Sequence, residues 1–280
     1  MDGAKLKNYI IILLAAVNLF LLSIVVMQRN ETAEIKREAL ADIRAVFESR
    51  GIGIAPGVSL DFDTPSQYAM QTGPEQELSS VKRLLGDVTL EGSEAFFNYY
   101  SGEKGNATFR SSGFFEVTFG AELFPLAEDA VKQTLDILSL LGISGDAGAA
   151  KIIIDPSSPS VTTVRTNCMW RGLPVWRSDL SATFIGGSLY RVEGYRLLDI
   201  VTERSSGDAL ELVTILVRFL ELIESSRSEV GEIQEIAQGY IVSNTAAGDS
   251  YLDPAWRIET DSGTFYLNGL TGKRMVVAEY

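Results

Sequence analysis

An uncharged apolar run constrains this chain more than any other feature. Residues 9–27 read YIIILLAAVNLFLLSIVVM, nineteen positions without a charged side chain. As a helix rising ~1.5 Å per residue, they would span roughly 28 Å, close to the ~30 Å hydrocarbon thickness of a bilayer. A secretory signal has a shorter apolar stretch that ends at small residues, and a core helix keeps a polar stripe. The run therefore predicts an uncleaved transmembrane anchor.

Charges beside the run predict its orientation. Lys5 and Lys7 lie a few residues before it, whereas Arg29 alone follows closely behind. Because basic residues stay on the cytoplasmic side, residues 1–8 are expected to form a cytoplasmic tail. The rest of the chain is then an extracytoplasmic domain held at the plasma membrane by a single pass.

Composition excludes several classes of function for that domain. The whole chain has a net charge of −13, and leaving out the tail, with one acidic and two basic residues, gives −14. Such an acidic domain is repelled by nucleic acid, which is therefore not an expected partner. There is no histidine, and Cys168 is the only cysteine. An intramolecular disulfide, a Cys/His zinc site and a His-dependent triad are thereby excluded, and Cys168 is expected to be a small buried side chain.

Helices and strands alternate in three rounds. Helices are predicted at PEQELSSVKRLLG, at PLAEDAVKQTLDILSLLG with Pro125 near its first turn, and at DALELVTILVRFLELIESS with Asp208 and Glu211 as a capping box. Strands with alternating apolar and polar residues follow each helix. This order predicts an α+β fold with helices packed on one face of antiparallel sheets.

The same pattern predicts the division of the chain. A helical stalk is expected at 28–51, an N-terminal α+β module at 52–146 and C-terminal α+β modules at 147–280. The boundary is placed in the loop Gly145 to Ala149, which is small, flexible and lacks a large apolar residue.

The third helix is unusually apolar. From Leu210 to Ile223 its apolar residues occupy more than one face, although Glu211, Arg218 and Glu221 interrupt them. The short length and these charges argue against a second membrane span. Either the helix is buried on two sides within the fold, or part of it is an interface for a partner.

No motif in the sequence predicts catalysis. Nucleotide-binding and serine-hydrolase fingerprints are missing. Asp61 and Asp63, or Asp253, could supply the two carboxyl groups of a glycosidase, but an acidic chain contains many chance pairs. No catalytic, cofactor-binding or metal-binding residue is predicted, and no cofactor is expected.

The three tryptophans are expected to anchor the core. Trp170 and Trp176 flank MWRGLPVW, and Trp256 begins a strand in which Ile258 and Thr260 share its face. A platform for carbohydrate or protein would require several of them to be exposed together.

Both ends of the chain resemble YycI-type proteins of Gram-positive bacteria. MDGAKLKNYIIILLAAVNLFLLSIVV is similar to that family's lysine-bearing tail and its anchor with an Asn-Leu-Phe-Leu segment. IAQGYIVSNTAAGDSYLDPAWRIETDSGTFYLNGLTGK is similar to its last module, with a Gly-Tyr strand, a Pro-x-Trp strand entry, a Gly turn, an aromatic strand and a Thr-Gly turn. The middle of the chain matches only in its order of helices and strands.

The resemblance implies a non-enzymatic regulator built from PepSY/cystatin-like modules. YycI-like and YycH-like proteins lie beside a sensor histidine kinase of cell-wall metabolism, contact it through transmembrane helices and associate through their outer domains. The implied partners are this kinase and a YycH-like homologue, in a homodimer or heterodimer. Asn18, Leu19 and Phe20 are the expected partner contacts, since an amide in hydrocarbon gains about 0.5–2 kcal/mol by bonding to another helix. The alternative is an anchored envelope protein that binds or hydrolyses a cell-wall polymer.

Overall fold

The computed structural model describes residues 18, 20, 22, 34–71, 74–94, 97–120, 122–198, 200–204, 209–245 and 249–276. From residue 34 onward, the described helices are α1 at 34–49, α2 at Pro74–Leu85, α3 at Ala130–Leu140 and α4 at Leu212–Ser226. The strands are β1 Gly53–Ile54, β2 Tyr68–Gln71, β3 Val88–Glu94, β4 Phe97–Gly102, β5 Gly105–Arg110, β6 Phe114–Phe119, β7 Lys151–Ile154, β8 Val161–Trp170, β9 Leu173–Ile185, β10 Ser188–Tyr195, β11 Ile200–Glu203, β12 Glu232–Asn244, β13 Ser250–Thr260, β14 Gly263–Asn268 and β15 Arg274–Met275.

These strands form one branched sheet. Its main path runs β11-β2-β13-β12-β9-β10-β6-β5-β4-β3, while β1 joins β12, the pair β14–β15 extends from β13, and the pair β8–β7 extends from β9. The predicted order of one helix followed by strands recurs three times and the α+β class is confirmed. The prediction that all strands pair antiparallel is wrong, because β12 pairs in parallel with β1 and with β9. The parallel β9–β12 pair connects the second round of strands to the third.

The predicted helix ends are correct at α2 and need correction at α3 and α4. α2 stops before Gly86, which has φ +80° as a helix terminator requires. α3 begins at Ala130, because Pro125 instead forms a bridge to Ser188 and the Gln133 side chain holds that segment extended. α4 begins only at Leu212 with Glu211 at its N-cap and no side-chain cap bond, so the capping box is wrong. Asp208 lies outside the described residues.

Two large apolar clusters lie on the helix-bearing side of the sheet. The first, under α2 and α3, contains Leu85, Leu138 and the buried phenylalanines of β5, β6 and β9. The second lies around α4, whose buried face packs against the sheet at Trp256 and against α1 at Phe47. The apolar helix from Leu210 is therefore core on two sides, and the first of the two predicted alternatives is confirmed.

A buried ion pair attaches α2 to the strands. Arg196 donates from a terminal guanidinium nitrogen to Glu77 at 2.7 Å, and both side chains are almost completely buried. Asn98 donates to the other Glu77 oxygen at 2.8 Å, and the guanidinium lies 4.9 Å from the centre of the Phe109 ring. A buried carboxylate needs such a full set of partners, because an unpaired buried charge is strongly destabilising.

The loop at Gly145–Ala149 lies between α3 and β7. It is joined to β8 by a bridge between Gly145 and Cys168 and by the bond from the Asp146 amide to the Asn167 carbonyl, 2.9 Å. The division of the chain at this loop stays a prediction.

Candidate interaction surface

Two of the three residues expected to contact a partner inside the membrane lie in the described part of the chain. Asn18 and Phe20 are helical and exposed, while Leu19, Lys5 and Lys7 are not described. Within the ranges that the structure describes, no helix combines the length and apolar character needed to cross a membrane. The anchor at 9–27 and its orientation stay predictions.

The carboxylates considered for a glycosidase have separate structural partners. Asp61 is exposed and forms an ion pair with Lys36 at 3.2 Å, where the loop meets α1. Asp253 is buried and accepts a hydrogen bond from Gln67 at 2.7 Å. The Asp63 carbonyl, rather than its carboxylate, accepts from Gln238. Across the described residues, no group of three or more acidic, Cys or His side chains is arranged to hold a metal ion.

Cys168 and the tryptophans are structural. Burial raises the pKa of the Cys168 thiol to about 12, and the thiol donates to the Tyr195 carbonyl at 3.4 Å. Trp176 and Trp256 are buried in different clusters, and Trp170 is partly buried with its ring edge-on to Tyr68. These positions confirm the prediction of a buried small thiol and of core anchors.

The C-terminal motif also acts in packing. Gly239 allows β12 to approach β9 closely, since a Cβ there would lie 2.6 Å from the Pro174 carbonyl oxygen and 2.8 Å from the Trp176 ring. Trp256 fills the cluster beneath α4, with Phe62 edge-on at 5.2 Å. The Gly-Tyr and Pro-x-Trp elements thus join strands and fill the core.

A concave surface lies on the sheet face that these helices leave uncovered. A groove of about 980 Å³ runs from β7 and the loop before it, across β8, β9 and β10, to β12, β13 and β14. Successive side chains of a strand point to opposite faces of the sheet, and those that point away from the helices form this face. Arg257 and Glu259 point into the groove while their neighbours Trp256 and Ile258 point to the core beneath α4. The groove therefore spans both halves of the sheet.

A bulge in β9 forms the middle of the groove. Cys168 pairs with Val175, yet Asn167 pairs with Asp179, so three residues of β9 loop out between these pairs. Arg177 within the bulge has φ +62°, which is unusual for a residue other than glycine. Ser178 holds the bulge by accepting from the Cys168 amide at 2.9 Å and donating to the Val175 carbonyl. The bulge lies where β9 leaves β10 and joins β12.

Charges of both signs line the groove. Arg257 pairs with Glu235 at 2.5 Å across β12 and β13. Burial raises the pKa of the Asp179 carboxyl, and the guanidinium groups of Arg165 and Arg177 oppose that rise. Tyr195, Phe114 and Tyr266 add aromatic surface between these charges. Such a lining suits an extended ligand that offers polar and apolar groups in turn, such as a peptide or a substituted sugar chain.

Strand β7 at one end of the groove is an exposed edge. Ile152, Ile153 and Ile154 are 53%, 40% and 58% exposed. In the described part of the chain, β7 pairs only with β8. The sequence KIIID predicts a strand, and its uninterrupted apolar run gives no indication that the edge is exposed. The flanking Lys and Asp are the only local signal of it, since charged residues commonly mark sheet edges.

Comparisons with known proteins give distant structural similarity. No known family profile and no curated protein sequence matches the chain. An uncharacterized protein from Eubacterium rectale is similar at a TM-score of 0.46 with 8% identity, over 81% of this chain and 90% of that one. The C-terminal domain of Bacillus megaterium YpeB gives 0.35 and 7%, over 75% and 98%. YycH from Bacillus subtilis gives 0.36 and 11%, over 75% and 52%. At these values the similarity assigns neither a family nor a function.

Proposed function

We propose that the chain is a single-pass plasma-membrane protein that regulates a two-component sensor histidine kinase of cell-wall homeostasis by protein contact, without catalysis. Its anchor is the run 9–27, its tail lies in the cytoplasm and the folded domain lies outside. The kinase and a YycH-like homologue are the proposed partners, and Asn18, Leu19 and Phe20 are the proposed contacts within the bilayer. The sequence resemblance at both termini supports this choice of partners.

The observation that carries the proposal is the docking of α1 on the folded domain. The described part of α1 begins at residue 34, and the apolar run ends at residue 27. This helix is fixed by Phe47, which is fully buried and 6.2 Å from Phe219 of α4, and by an ion pair between Arg50 and Glu224. A helix fixed in this way moves with the domain, so a change outside the membrane can alter packing of the anchor. A flexible tether would suffice for an enzyme that merely needs to stay at the membrane.

Regulation through the anchor requires that its contact differ between the states of the kinase. The test replaces residues 9–27 of the full chain by polyleucine and measures kinase output with a target-gene reporter in cells. We expect output to change. The matched control is the same polyleucine segment with Asn18, Leu19 and Phe20 retained, which should restore the original output. Unchanged output with plain polyleucine, at equal amounts of protein in the membrane, would contradict the proposal.

The groove favours a second function, binding of a cell-wall polymer. Its length, mixed charges and aromatic surface suit a sugar chain with peptide substituents. Retention of soluble wall fragments by the full chain, lost when Tyr195 and Arg257 are changed to alanine, would support this alternative. If Tyr195→Ala and Arg257→Ala both still retain the wall fragments, the binding site lies outside the groove.

A further inference from the structure

We infer that β7 is a self-association edge, at which β7 of a second copy pairs antiparallel about Ile153 and joins two sheets into one. Four features support it: an open edge, the direction of its backbone groups, the continuation of apolar rows, and the charges at its ends. The inference is independent of whether the chain regulates a kinase.

The backbone of β7 has the alternation that this pairing needs. The Asp155 amide donates to the Val161 carbonyl at 3.3 Å. Because hydrogen-bonded residues alternate along an antiparallel ladder, Ile153 also bonds toward β8, and the amides and carbonyls of Ile152 and Ile154 face outward. A twofold axis at Ile153 places Ile152 opposite Ile154 of the second copy. The outward-facing amide and carbonyl of Ile152 can each bond to Ile154 of the second copy, so each Ile152–Ile154 pair forms two hydrogen bonds.

The side chains of the edge continue rows that are already buried. Ile152 lies in a row with Val164 and Ala182, and Ile154 in a row with Thr162 and Phe184. Val164, Ala182 and Phe184 are almost fully buried on the helix-bearing face, whereas β7 ends both rows in the open. In the twofold pair, Ile152 and Ile154 of one copy face Ile154 and Ile152 of the other. Pairing thus extends the apolar face and covers two large side chains from each copy.

The ends of the strand are complementary in charge. In KIIID, antiparallel pairing about Ile153 places Lys151 opposite Asp155 of the second copy, twice. Parallel pairing in register would place Lys151 against Lys151, which is destabilising. Pairing is limited on one side by Pro156, which has no amide hydrogen, and on the other by the turn in which the Ala150 amide bonds to the Ala147 carbonyl. One orientation and one register are therefore favoured.

Disulfide cross-linking of the purified full-length chain in detergent tests this register. At the twofold axis, Ile153 and its symmetry mate form a non-hydrogen-bonded pair with Cα atoms about 4.5 Å apart, within the ~4.4–6.8 Å that a disulfide spans. Ile153→Cys should therefore form covalent dimers under mild oxidation. Ile152→Cys and Ile154→Cys should form several-fold fewer, because identical residues there lie about 7–8 Å apart, beyond the ~7 Å limit.

Two controls make the result specific. Val217→Cys on α4 is a matched surface site, since Val217 and Ile153 are both 40% exposed, and it should give several-fold fewer dimers than Ile153→Cys. The unmodified chain should stay uncross-linked, since burial raises the pKa of Cys168 and shields it from oxidation. Equal cross-linking at positions 152, 153 and 154, or no more at 153 than at 217, would overturn the inference.

A charge exchange gives a second, independent measurement. K151D leaves only acidic ends and D155K only basic ends, so each variant should lose self-association in sedimentation of the full chain. A mixture of the two restores both opposite-charge contacts and should dimerise again. If the mixture stays monomeric while the original chain dimerises, the proposed register is wrong. Neither measurement reads kinase output, so failure here leaves the proposed function to its own test.

Discussion

In the half of the sheet beneath α2 and α3, a charged pair is buried between helix and strands, whereas the described residues that α4 buries against the other half are all apolar. Glu77 of α2 is held by Arg196 and Asn98. The buried face of α4 consists of Leu212, Ile215, Leu216, Phe219, Leu220 and Ile223. Apolar contacts depend on shape and volume, while a buried ion pair depends on the presence of both partners. The two halves should therefore respond to different substitutions.

The largest effect is expected where α4 meets α1 and the sheet. Phe219 is fully buried, 6.2 Å from Phe47 and 5.2 Å from Phe265 between ring centres. Phe219→Ala should lower the free energy of unfolding by about 3–5 kcal/mol, because it removes apolar burial and leaves a cavity. Urea titration of the full chain, followed by circular dichroism, measures this loss. The control Val217→Ala, on the exposed face of the same helix, should change stability by less than about 0.5 kcal/mol, and equal losses would contradict the packing described.

At the buried ion pair, a single substitution should destabilise the protein more than a double substitution. Glu77→Gln removes the carboxylate charge that lies 2.7 Å from the buried Arg196 guanidinium, and should lower the free energy of unfolding by about 3 kcal/mol. Replacing both residues, as E77M with R196M, removes both buried charges and should recover most of that loss. The same urea titration applies. A double variant as unstable as the single one would show that packing volume, rather than charge pairing, holds α2.

These contrasts also separate what the sequence could predict from what it could not. Periodicity and glycine stops located α2 and most strands, because those signals are local. The exposure of Ile152–Ile154 was missed, since an apolar strand is buried or open according to which distant strand lies beside it. The parallel β9–β12 contact was missed for the same reason, although Gly239 is needed for the close approach. The Pro125 segment was misread as helix because the Gln133 bonds that hold it extended come from a side chain beyond it.

The groove was harder still to predict. Arg177 adopts φ +62° in a bulge created by a shift of pairing between β8 and β9. No residue pattern in LPVWRSDLSATFIGG specifies that shift. The shared strand face of Trp256, Ile258 and Thr260 was predicted correctly, and it places Arg257 on the other face of β13. That Arg257 and Asp179 line the same groove follows only from the topology of the sheet.

Alkaline pH should weaken the half beneath α2 and α3. Burial raises the pKa of the Cys168 thiol from 9.0 to about 12, and burial, with a further contribution from Tyr68, raises the pKa of the Tyr240 phenol from 10.0 to about 12. The unfolded chain releases these protons first. Stability is therefore complete below pH 9 and falls as pH rises from 9 toward 12. The thiol alone should account for a loss on the order of 1 kcal/mol by pH 10.

The measurement is urea unfolding at pH 8 and pH 10 for the original chain and for Cys168→Ala. The variant loses some packing at both pH values but should show a smaller drop between them. Tyr240→Phe tests the phenol in the same way at pH 11. An unchanged pH dependence in Cys168→Ala would mean that the thiol is not the titrating group.

The smallest effect concerns the first turns of α3 and α4. The Asp129 carboxylate accepts from the Lys132 amide at 2.8 Å and so satisfies one of the amides that a helix start leaves unpaired. Glu211 occupies the corresponding position of α4 without a side-chain cap bond, so α4 relies on its buried apolar face instead. Asp129→Ala should therefore lower the free energy of unfolding by about 1 kcal/mol, and Glu211→Ala by less than about 0.5 kcal/mol. Asp129→Asn keeps an acceptor oxygen and should recover most of the loss. Equal losses for the two alanine variants would show that the charge near the helix start, rather than the bond to Lys132, is what stabilises α3, because both residues carry that charge and only one makes the bond.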